Sequence, residues 1–136
     1  MILSLSVNQI EDIYLLGNSL HPNFSNLYDY MSLNVGADET YVYLDNLNVV
    51  GFIHIQLTCD ELSVIDVVVD PRYRRKGIGK ELMEYVISKY NHKRIILEVA
   101  ANNTSAIKFY KSLGFVKFSE RKGYYRGVNA ILMERK

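Results

Sequence analysis

The apolar and polar positions near the start of the chain predict one short strand followed by two helices. Residues Ile2–Val7 alternate between apolar and polar side chains, which is typical of a strand with one buried face. Within "NQIEDIYLLGNSL", apolar residues recur at helical spacing at Ile10, Ile13 and Leu16, and Asn8 is the expected N-cap. After a loop that contains a proline, the segment "SNLYDYMSL" is expected to form a second helix.

The middle of the chain changes from a strand pattern to a helix pattern. "TYVYLDNLNVVGFIHIQL" predicts two strands joined by a turn at Asp45–Asn48, and "ELSVIDVVVD" predicts a third strand of the same antiparallel run. After Gly77 the spacing becomes that of an amphipathic helix. The apolar stripe of this helix consists of Ile78, Leu82, Tyr85 and Val86.

The last third of the chain alternates strands and a helix. A buried strand, "RIILEV", precedes the helix "NNTSAIKFYKSLGF", which Thr104 or Ser105 should cap and Gly114 should end. "FVKFSE" and "NAILMER" predict two closing strands. The order β-α-α-β-β-β-α-β-α-β-β indicates a mixed α/β fold. Because a helix connects strands Leu62–Val69 and Arg94–Val99, these two strands should lie parallel.

Length and composition are typical of a single globular domain covering residues 1–136, with 49% apolar and 23% charged residues. A net charge of +1 gives no global reason to expect nucleic acid or a membrane as a partner. The single cysteine, Cys59, excludes an internal disulfide and fits a reducing compartment. The first residues lack the features of a secretory signal, and no apolar run is long enough to span a membrane. We therefore expect a cytoplasmic protein.

The segment "VVVDPRYRRKGIGKEL" has the features of an anion site at the start of a helix. Gly77 and Gly79 let backbone N–H groups approach a ligand without an intervening Cβ, and the helix dipole adds positive charge there. The site follows a predicted parallel strand, on the usual ligand side of an α/β sheet. We expect it to bind a pyrophosphate. The basic side chains around it are Arg72, Arg74, Arg75, Lys76 and Lys80.

Two common phosphate motifs do not fit this segment. A P-loop requires G-x-x-x-x-G-K-S/T, but Arg74 stands at the first glycine position and Glu81 follows Lys80. A dinucleotide-binding turn requires a third glycine, where this chain has Leu82. Residues 74–79 instead read R-x-x-G-x-G, directly after an apolar strand that ends in Asp-Pro.

With this pattern the sequence resembles the GNAT superfamily of N-acetyltransferases, in which R/Q-x-x-G-x-G/A is the loop for the acetyl-CoA pyrophosphate. "LEVAANNTSAIKFYKSLGF" is similar to the family's second signature, N-x-x-A-x-x-x-Y-x-x-x-G-F, starting at Asn103. The sequence most resembles the RimI-like subgroup, the ribosomal-protein alanine N-acetyltransferases, through "LEV" and the ending "YY" and "AILM". It departs from that subgroup at Ala100 and Asn102, where Arg and Ser are common.

The resemblance implies acetyl-CoA as the co-substrate and a splayed pair of central parallel strands. The pantetheine arm would lie between these strands and hydrogen-bond to the backbone of Val67 and Val69, much like an added strand. Asn103 would contact the arm, although an asparagine at this position also fits a helix cap. The loop residues that would hold the pyrophosphate are Arg74, Arg75, Lys76, Gly77, Ile78, Gly79 and Lys80.

Two side chains match the family's catalytic groups. Tyr110 matches the general acid, which would contact the coenzyme and protonate the departing thiolate, although a tyrosine on an apolar helix stripe is more often a core residue. Glu98 matches the glutamate that would deprotonate the amine, and a carboxylate in a buried strand is costly unless it is paired or functional. Asp66, beside the binding strand, is the competing base.

The implied acceptor is the N-terminal α-amino group of a protein or peptide. An α-amine with a pKa of about 8 is more often neutral in the cell than a lysine with a pKa of about 10.4. The alternatives are a small-molecule amine or polyamine as acceptor, or a catalytically silent acyl-CoA-binding module. We expect no metal, because the three histidines and Cys59 form no ligand set, and a monomer or homodimer. Candidate acceptor contacts are Tyr28, Tyr30, Tyr124 and Tyr125.

Overall fold

A computed structural model of the protein describes residues 1–20 and 30–136. Its core is a seven-stranded sheet with the strand order β1-β2-β3-β4-β5-β7-β6. All neighbouring strands are antiparallel except β4 and β5, which are parallel. The strands are β1 (Ile2–Ser4), β2 (Asp38–Asp45), β3 (Asn48–Leu57), β4 (Glu61–Val69), β5 (Arg94–Ala100), β6 (Val116–Tyr125) and β7 (Val128–Arg135).

The helices occur in the predicted order, and the mixed α/β fold is confirmed. They are α1 (Ile10–Leu20), α2 (Tyr30–Asn34), α3 (Ile78–Lys89) and α4 (Thr104–Ser112). The remainder of the predicted second helix, with the candidate residue Tyr28, lies outside the described residues. Within the described ranges, no helix is long and apolar enough to cross a membrane.

Helices cover both faces of the sheet, and a hydrophobic cluster lies under each layer. On one face, α3 buries the stripe that its sequence predicts, with Leu82 and Val86 fully inaccessible to solvent. On the other face, Ile13 of α1 packs with Phe52 and Val68. Each such buried side chain stabilises the fold by about 1.5–3 kcal/mol relative to an exposed one. We call the two faces the α3 face and the α1 face.

The predicted end of the first strand and the predicted N-caps of the first and last helices were wrong. The first strand ends at Ser4, and Ser6 rather than Asn8 is the N-cap, so the chain enters α1 through a short 3-10 turn. The backbone N–H of Ser6 donates to the Gln9 side chain at 3.0 Å, as in a capping box. At α4, Asn103 rather than Thr104 or Ser105 is the N-cap.

The predicted turns at Asp45–Asn48 and Gly114 are confirmed. Asn46 and Leu47 both have positive φ, as the tight turn between two antiparallel strands requires. Gly114 has φ of 92° and ends α4, which leads directly into β6. Strand β6 runs to Tyr125, beyond the predicted end at Glu120, because its far half continues to pair with β7.

Arg94 closes one end of the parallel strand pair. Its guanidinium donates to Glu61 Oε2 at 2.5 Å and also to the Glu134 carboxylate of β7. The same guanidinium lies over the ring of Phe118 at 4.6 Å from the centroid. The Arg94 guanidinium therefore links β4, β5, β7 and β6 at the end of the parallel pair where Glu61 begins β4.

Candidate functional site

The parallel strands β4 and β5 pair over only part of their length. Their ladder runs from the Glu61–Arg94 pair to the Val64–Leu97 pair. Strand β4 nevertheless continues to Val69 and β5 to Ala100, so the strands diverge beyond the ladder. The expectation of a splayed parallel pair is confirmed. We call the space between the diverging strands the gap.

A β-bulge in β4 lies where the gap begins. On β3, His54 is opposite Asp66 while the next residue, Ile55, is opposite Val64, so Ile65 is an extra residue in the ladder. Because a bulge inserts one extra residue, the residues beyond it point to the opposite side of the sheet from the one that their spacing alone predicts. Val64 accordingly belongs to the α3-face cluster and Val68 to the α1-face cluster, although an even spacing separates them.

The backbone of β4 beyond the bulge faces the gap at alternate residues. The N–H of Asp70 donates to the Val50 carbonyl at 2.8 Å, so Asp70 points its backbone toward β3. Successive residues of a strand point their N–H and C=O groups to opposite sides. The N–H and C=O groups of Val67 and Val69 therefore face the gap, where the β5 ladder no longer reaches them. An extended ligand could hydrogen-bond to this edge.

Asp70 fixes the turn that follows β4. Its carboxylate accepts from the Arg72 backbone N–H at 2.9 Å and from Arg72 Nη2 at 2.8 Å. These hydrogen bonds from Arg72 hold the pKa of the Asp70 carboxyl below its usual range. The sequence placed Arg72 among the basic side chains around the anion site. The structure instead engages it with Asp70.

The start of α3 presents unpaired backbone donors beside exposed cations. Gly77 is the N-cap, with φ of 79°, and the first intrahelical bond runs from the Glu81 N–H to its carbonyl, so the preceding N–H groups have no helical partner. A Cβ placed on Gly79 would lie 3.7 Å from both Val69 and Phe109, which is ordinary contact. The exposed basic residues of this loop are Arg74, Arg75, Lys76 and Lys80.

Tyr110 approaches the gap from the α3 face. Its ring packs against Phe109 and Phe115 at centroid distances of 5.3 and 6.0 Å. Burial raises the pKa of the Tyr110 hydroxyl, and the nearby negative charge of Asp66 raises it further. The hydroxyl therefore stays protonated at neutral pH, as a proton donor must.

Glu98 lies on the opposite face of the sheet. Its neighbours Leu97 and Val99 are buried in the α3-face cluster, so the intervening side chain points to the α1 face. Glu98 Oε1 lies 3.4 Å from Arg121 Nη2 of β6. The two side chains border a cleft of about 480 Å³, which we call the Glu98 cleft. Its lining residues are Ser63, Val64, Ile65, Ile96, Leu97, Glu98, Arg121, Tyr124 and Leu132.

The structure brings some of the other sequence candidates to the site. Asn103 Oδ1 accepts from the Ala106 N–H at 3.2 Å, so this residue has the helix-capping role that competed with coenzyme contact. Tyr124 is exposed and lines the Glu98 cleft. Tyr30 begins α2 and Tyr125 ends β6.

Sequence reasoning missed Arg121. A signal for it existed, because a carboxylate in a buried strand requires a cation or a donor from a neighbouring strand, and β6 carries several basic residues.

The gap, with the Gly77 loop and Tyr110 beside it, lies in the part of the chain that matches a known protein family. The model of the Acetyltransferase (GNAT) family matches residues 6–115, a span that contains the gap, the Gly77 loop and Tyr110. The chain belongs to the GNAT family. The resemblance seen in the sequence is thereby confirmed.

Known relatives of this GNAT protein include ribosomal-protein acetyltransferases. A [ribosomal protein bS18]-alanine N-acetyltransferase of Salmonella typhimurium is 32% identical over 99 residues, which cover 71% of this chain and 62% of that protein. The chain thus spans less than two thirds of the length of the curated relatives it matches first. The RimI-like resemblance is confirmed, because these relatives are ribosomal-protein alanine N-acetyltransferases, and N-alpha-acetyltransferase RimI of Mycobacterium tuberculosis is 35% identical over 77 residues, which cover 55% of this chain and 49% of that protein.

Two solved structures share the fold of this GNAT domain along almost its whole length. The ribosomal-protein-S18-alanine N-acetyltransferase from Escherichia coli has a TM-score of 0.83 and 28% identity, covering 98% of this chain and 91% of that chain. Naa50 from Arabidopsis thaliana, solved with the bisubstrate analogue CoA-Ac-MVNAL, has a TM-score of 0.84 and 25% identity, covering 100% and 97%.

Proposed function

We propose that the protein is an acetyl-CoA-dependent N-acetyltransferase that acetylates the N-terminal α-amino group of a protein or peptide in the cytoplasm. The observation that carries the proposal is the gap. An edge of free backbone groups at Val67 and Val69 leads directly to the unpaired N–H groups at the start of α3. An acyl-pantetheine arm that ends in a pyrophosphate has the matching shape and charge.

Acetyl-CoA would bind along this path. The pyrophosphate would rest on the N–H groups of Ile78, Gly79 and Lys80, with Arg74, Arg75 and Lys76 adding positive charge around Gly77. The arm would hydrogen-bond to the backbone of Val67 and Val69, and a backbone N–H in the gap would polarise the acetyl carbonyl. Asn103, which caps α4, would lie beside the arm.

Direct transfer requires one proton acceptor and one proton donor. The acceptor amine gives up a proton toward Glu98, directly or through water, and its nitrogen bonds to the acetyl carbonyl carbon. As the C–S bond breaks, Tyr110 donates its hydroxyl proton to the departing sulfur. Glu98 and Tyr110 approach from opposite faces of the sheet, which suits an acceptor and a leaving group on opposite sides of the reacting carbon. Asp66, which lies near Tyr110, is the competing base.

The acceptor would enter through the Glu98 cleft, where Tyr124 would supply a contact. Its size of about 480 Å³ suits the first residues of a peptide. The names of the similar proteins favour a protein N-terminus: one acts on ribosomal protein S18, and another was solved with a peptide-linked coenzyme analogue.

Incubation with acetyl-CoA and an acceptor panel tests the proposal. The panel contains peptides with free N-termini, the same peptides blocked at the N-terminus but carrying lysine, and a polyamine. Mass spectrometry should find acetylation of the free peptides alone. Acetylation of the polyamine alone would favour a small-molecule enzyme, and CoA binding without any product would favour a silent module.

A further inference from the structure

Arg121 and Glu98 form an ion pair although their strands are not neighbours. Strand β7 lies between β5 and β6, and Leu132 of β7 is the residue directly opposite Glu98. Arg121 is itself opposite Ala130 in the β6–β7 ladder. Adjacent strands lie about 4.8 Å apart, so only a long side chain laid diagonally over β7 can reach Glu98. The pairing therefore depends on the length and direction of Arg121.

Local structure directs Arg121 toward the Glu98 cleft. Its guanidinium lies over the Tyr124 ring, 5.3 Å from the centroid, on the same strand. Both Arg121 and Tyr124 line the cleft, in the part of β6 where its register against β7 shifts. An aromatic ring under a guanidinium restricts its orientation and leaves its N–H groups at the edge free to donate.

The pair is a poor candidate for a purely structural role. The Arg121 side chain is 53% exposed and that of Glu98 is 30% exposed. Ion pairs this accessible add little to the stability of a fold. Among the described residues that line the Glu98 cleft, these two carry the only formal charges, since β4 contributes Ser63, Val64 and Ile65 and β7 contributes Leu132. The Arg121 guanidinium therefore pairs with Glu98 rather than with a wider network of charged side chains around the cleft.

We propose that Arg121 is a positioning residue that holds the Glu98 carboxylate in the orientation that accepts the proton of the acceptor amine. This inference rests on the proposed acetyltransferase function. A glutamate at a partly exposed site samples several rotamers, and an ion pair across β7 selects one of them. Loss of Arg121 therefore slows proton acceptance, while the proposed acetyl-CoA site between β4 and β5, on the side of β5 away from Arg121, stays intact. The effect falls on kcat rather than on the KM for acetyl-CoA.

A double-mutant cycle with purified protein tests this coupling. Arg121→Met should lower kcat by about 10- to 10²-fold, since misplacing a reacting group by about 1 Å can cost the larger factor, and should leave the KM for acetyl-CoA within about twofold. Arg121→Lys should recover part of the loss, and added guanidinium ion should partly rescue Arg121→Met. In a Glu98→Gln background, Arg121→Met should cost nothing further, because the group it positions is gone.

Lys122→Met is the matched control, because it removes the same charge one residue along β6 without contacting the Glu98 cleft. Its kcat should stay within twofold of the wild type. Additive losses in the double variant, or an equal loss in Lys122→Met, would overturn the proposal. A rise confined to the KM of the peptide would also overturn it and would mark Arg121 as an acceptor contact.

The outcomes also separate this inference from the function on which it rests. A wild-type protein that binds CoA but acetylates no acceptor overturns both. A wild-type protein that turns over, with variants that show no coupling, overturns only the role of Arg121. If Arg121→Met fails to fold, Arg121→Gln and the Arg121→Lys comparison supply the same cycle.

Discussion

The negative charge of Asp66 on β4 raises the pKa of the Tyr110 hydroxyl on α4, beyond the larger effect of burial. Asp66 comes directly after the bulged residue Ile65, where the parallel strands separate, and its charge lies close enough to Tyr110 to act on the hydroxyl. A carboxylate beside a buried phenol favours the protonated phenol. The relationship keeps a proton at the position where the proposed reaction releases a thiolate.

Removal of the Tyr110 hydroxyl should slow the chemical step. We expect Tyr110→Phe to lower kcat by about 10²-fold, because positioned acids contribute at least that much, with little change in the Kd for CoA. The two quantities are measured by steady-state kinetics and by calorimetry. Tyr85→Phe, which removes a hydroxyl from α3 outside the gap, is the control. Turnover near the wild-type value in Tyr110→Phe would remove this residue from the acid role.

Substitution of the two carboxylates should assign the base. Glu98→Gln should lower kcat by about 10²-fold across the pH range, as the loss of a general base requires. Asp66→Asn should instead act on Tyr110: without the neighbouring charge the pKa of the tyrosine falls, so the alkaline limb of the kcat profile moves to lower pH. The reverse pattern, with Asp66→Asn inactive at every pH, would make Asp66 the base.

The two loop glycines should respond differently to alanine. Gly77 has φ of 79°, where a Cβ costs about 1–2 kcal/mol, so Gly77→Ala should lower the free energy of unfolding. Gly79 has room for a Cβ within the protein, so Gly79→Ala should leave the Tm unchanged or higher. Because the family pattern R/Q-x-x-G-x-G/A also has alanine at this position, Gly79→Ala should leave the Kd for CoA unchanged as well, as calorimetry would show. Equal Tm losses in both variants would contradict this distinction.

Stability should fall at alkaline pH because of a tyrosine far from the gap. Burial, and then a hydrogen bond to Glu39, raise the pKa of Tyr90 to about 12. An unfolded tyrosine ionises near pH 10, so between about pH 10 and 12 the unfolded chain holds fewer protons than the native one. The free energy of unfolding therefore declines as the pH rises through this window.

Urea titrations at pH 8 and pH 11 measure this decline. Tyr90→Phe keeps the ring but loses the ionisable hydroxyl, so its stability should change less between the two pH values. An identical decline in the variant would show that another group, such as the neighbouring Tyr41, accounts for it.

The order of the elements was predictable because it follows from local patterns. The helical stripe of α3, the turn at Asp45–Asn48 and the stop at Gly114 each depend on residues within a few positions of one another. The loop from Arg74 to Gly79 was recognisable for the same reason. The predicted N-caps were wrong where several capping residues are adjacent in the sequence, as at Asn103 and Thr104. The N-cap depends on the residue at which the helical backbone begins, and neighbouring residues of similar capping preference do not specify it.

By itself, the sequence determined the family, the β-α-β crossover and the glycine loop that would face a pyrophosphate. Only the tertiary structure decided that Ile65 bulges out of the ladder, that Arg72 binds Asp70, and that Arg121 reaches Glu98 across β7. The physical reason is strand register. A shift of one residue exchanges the two faces of a strand, and register is fixed by partners distant in the chain.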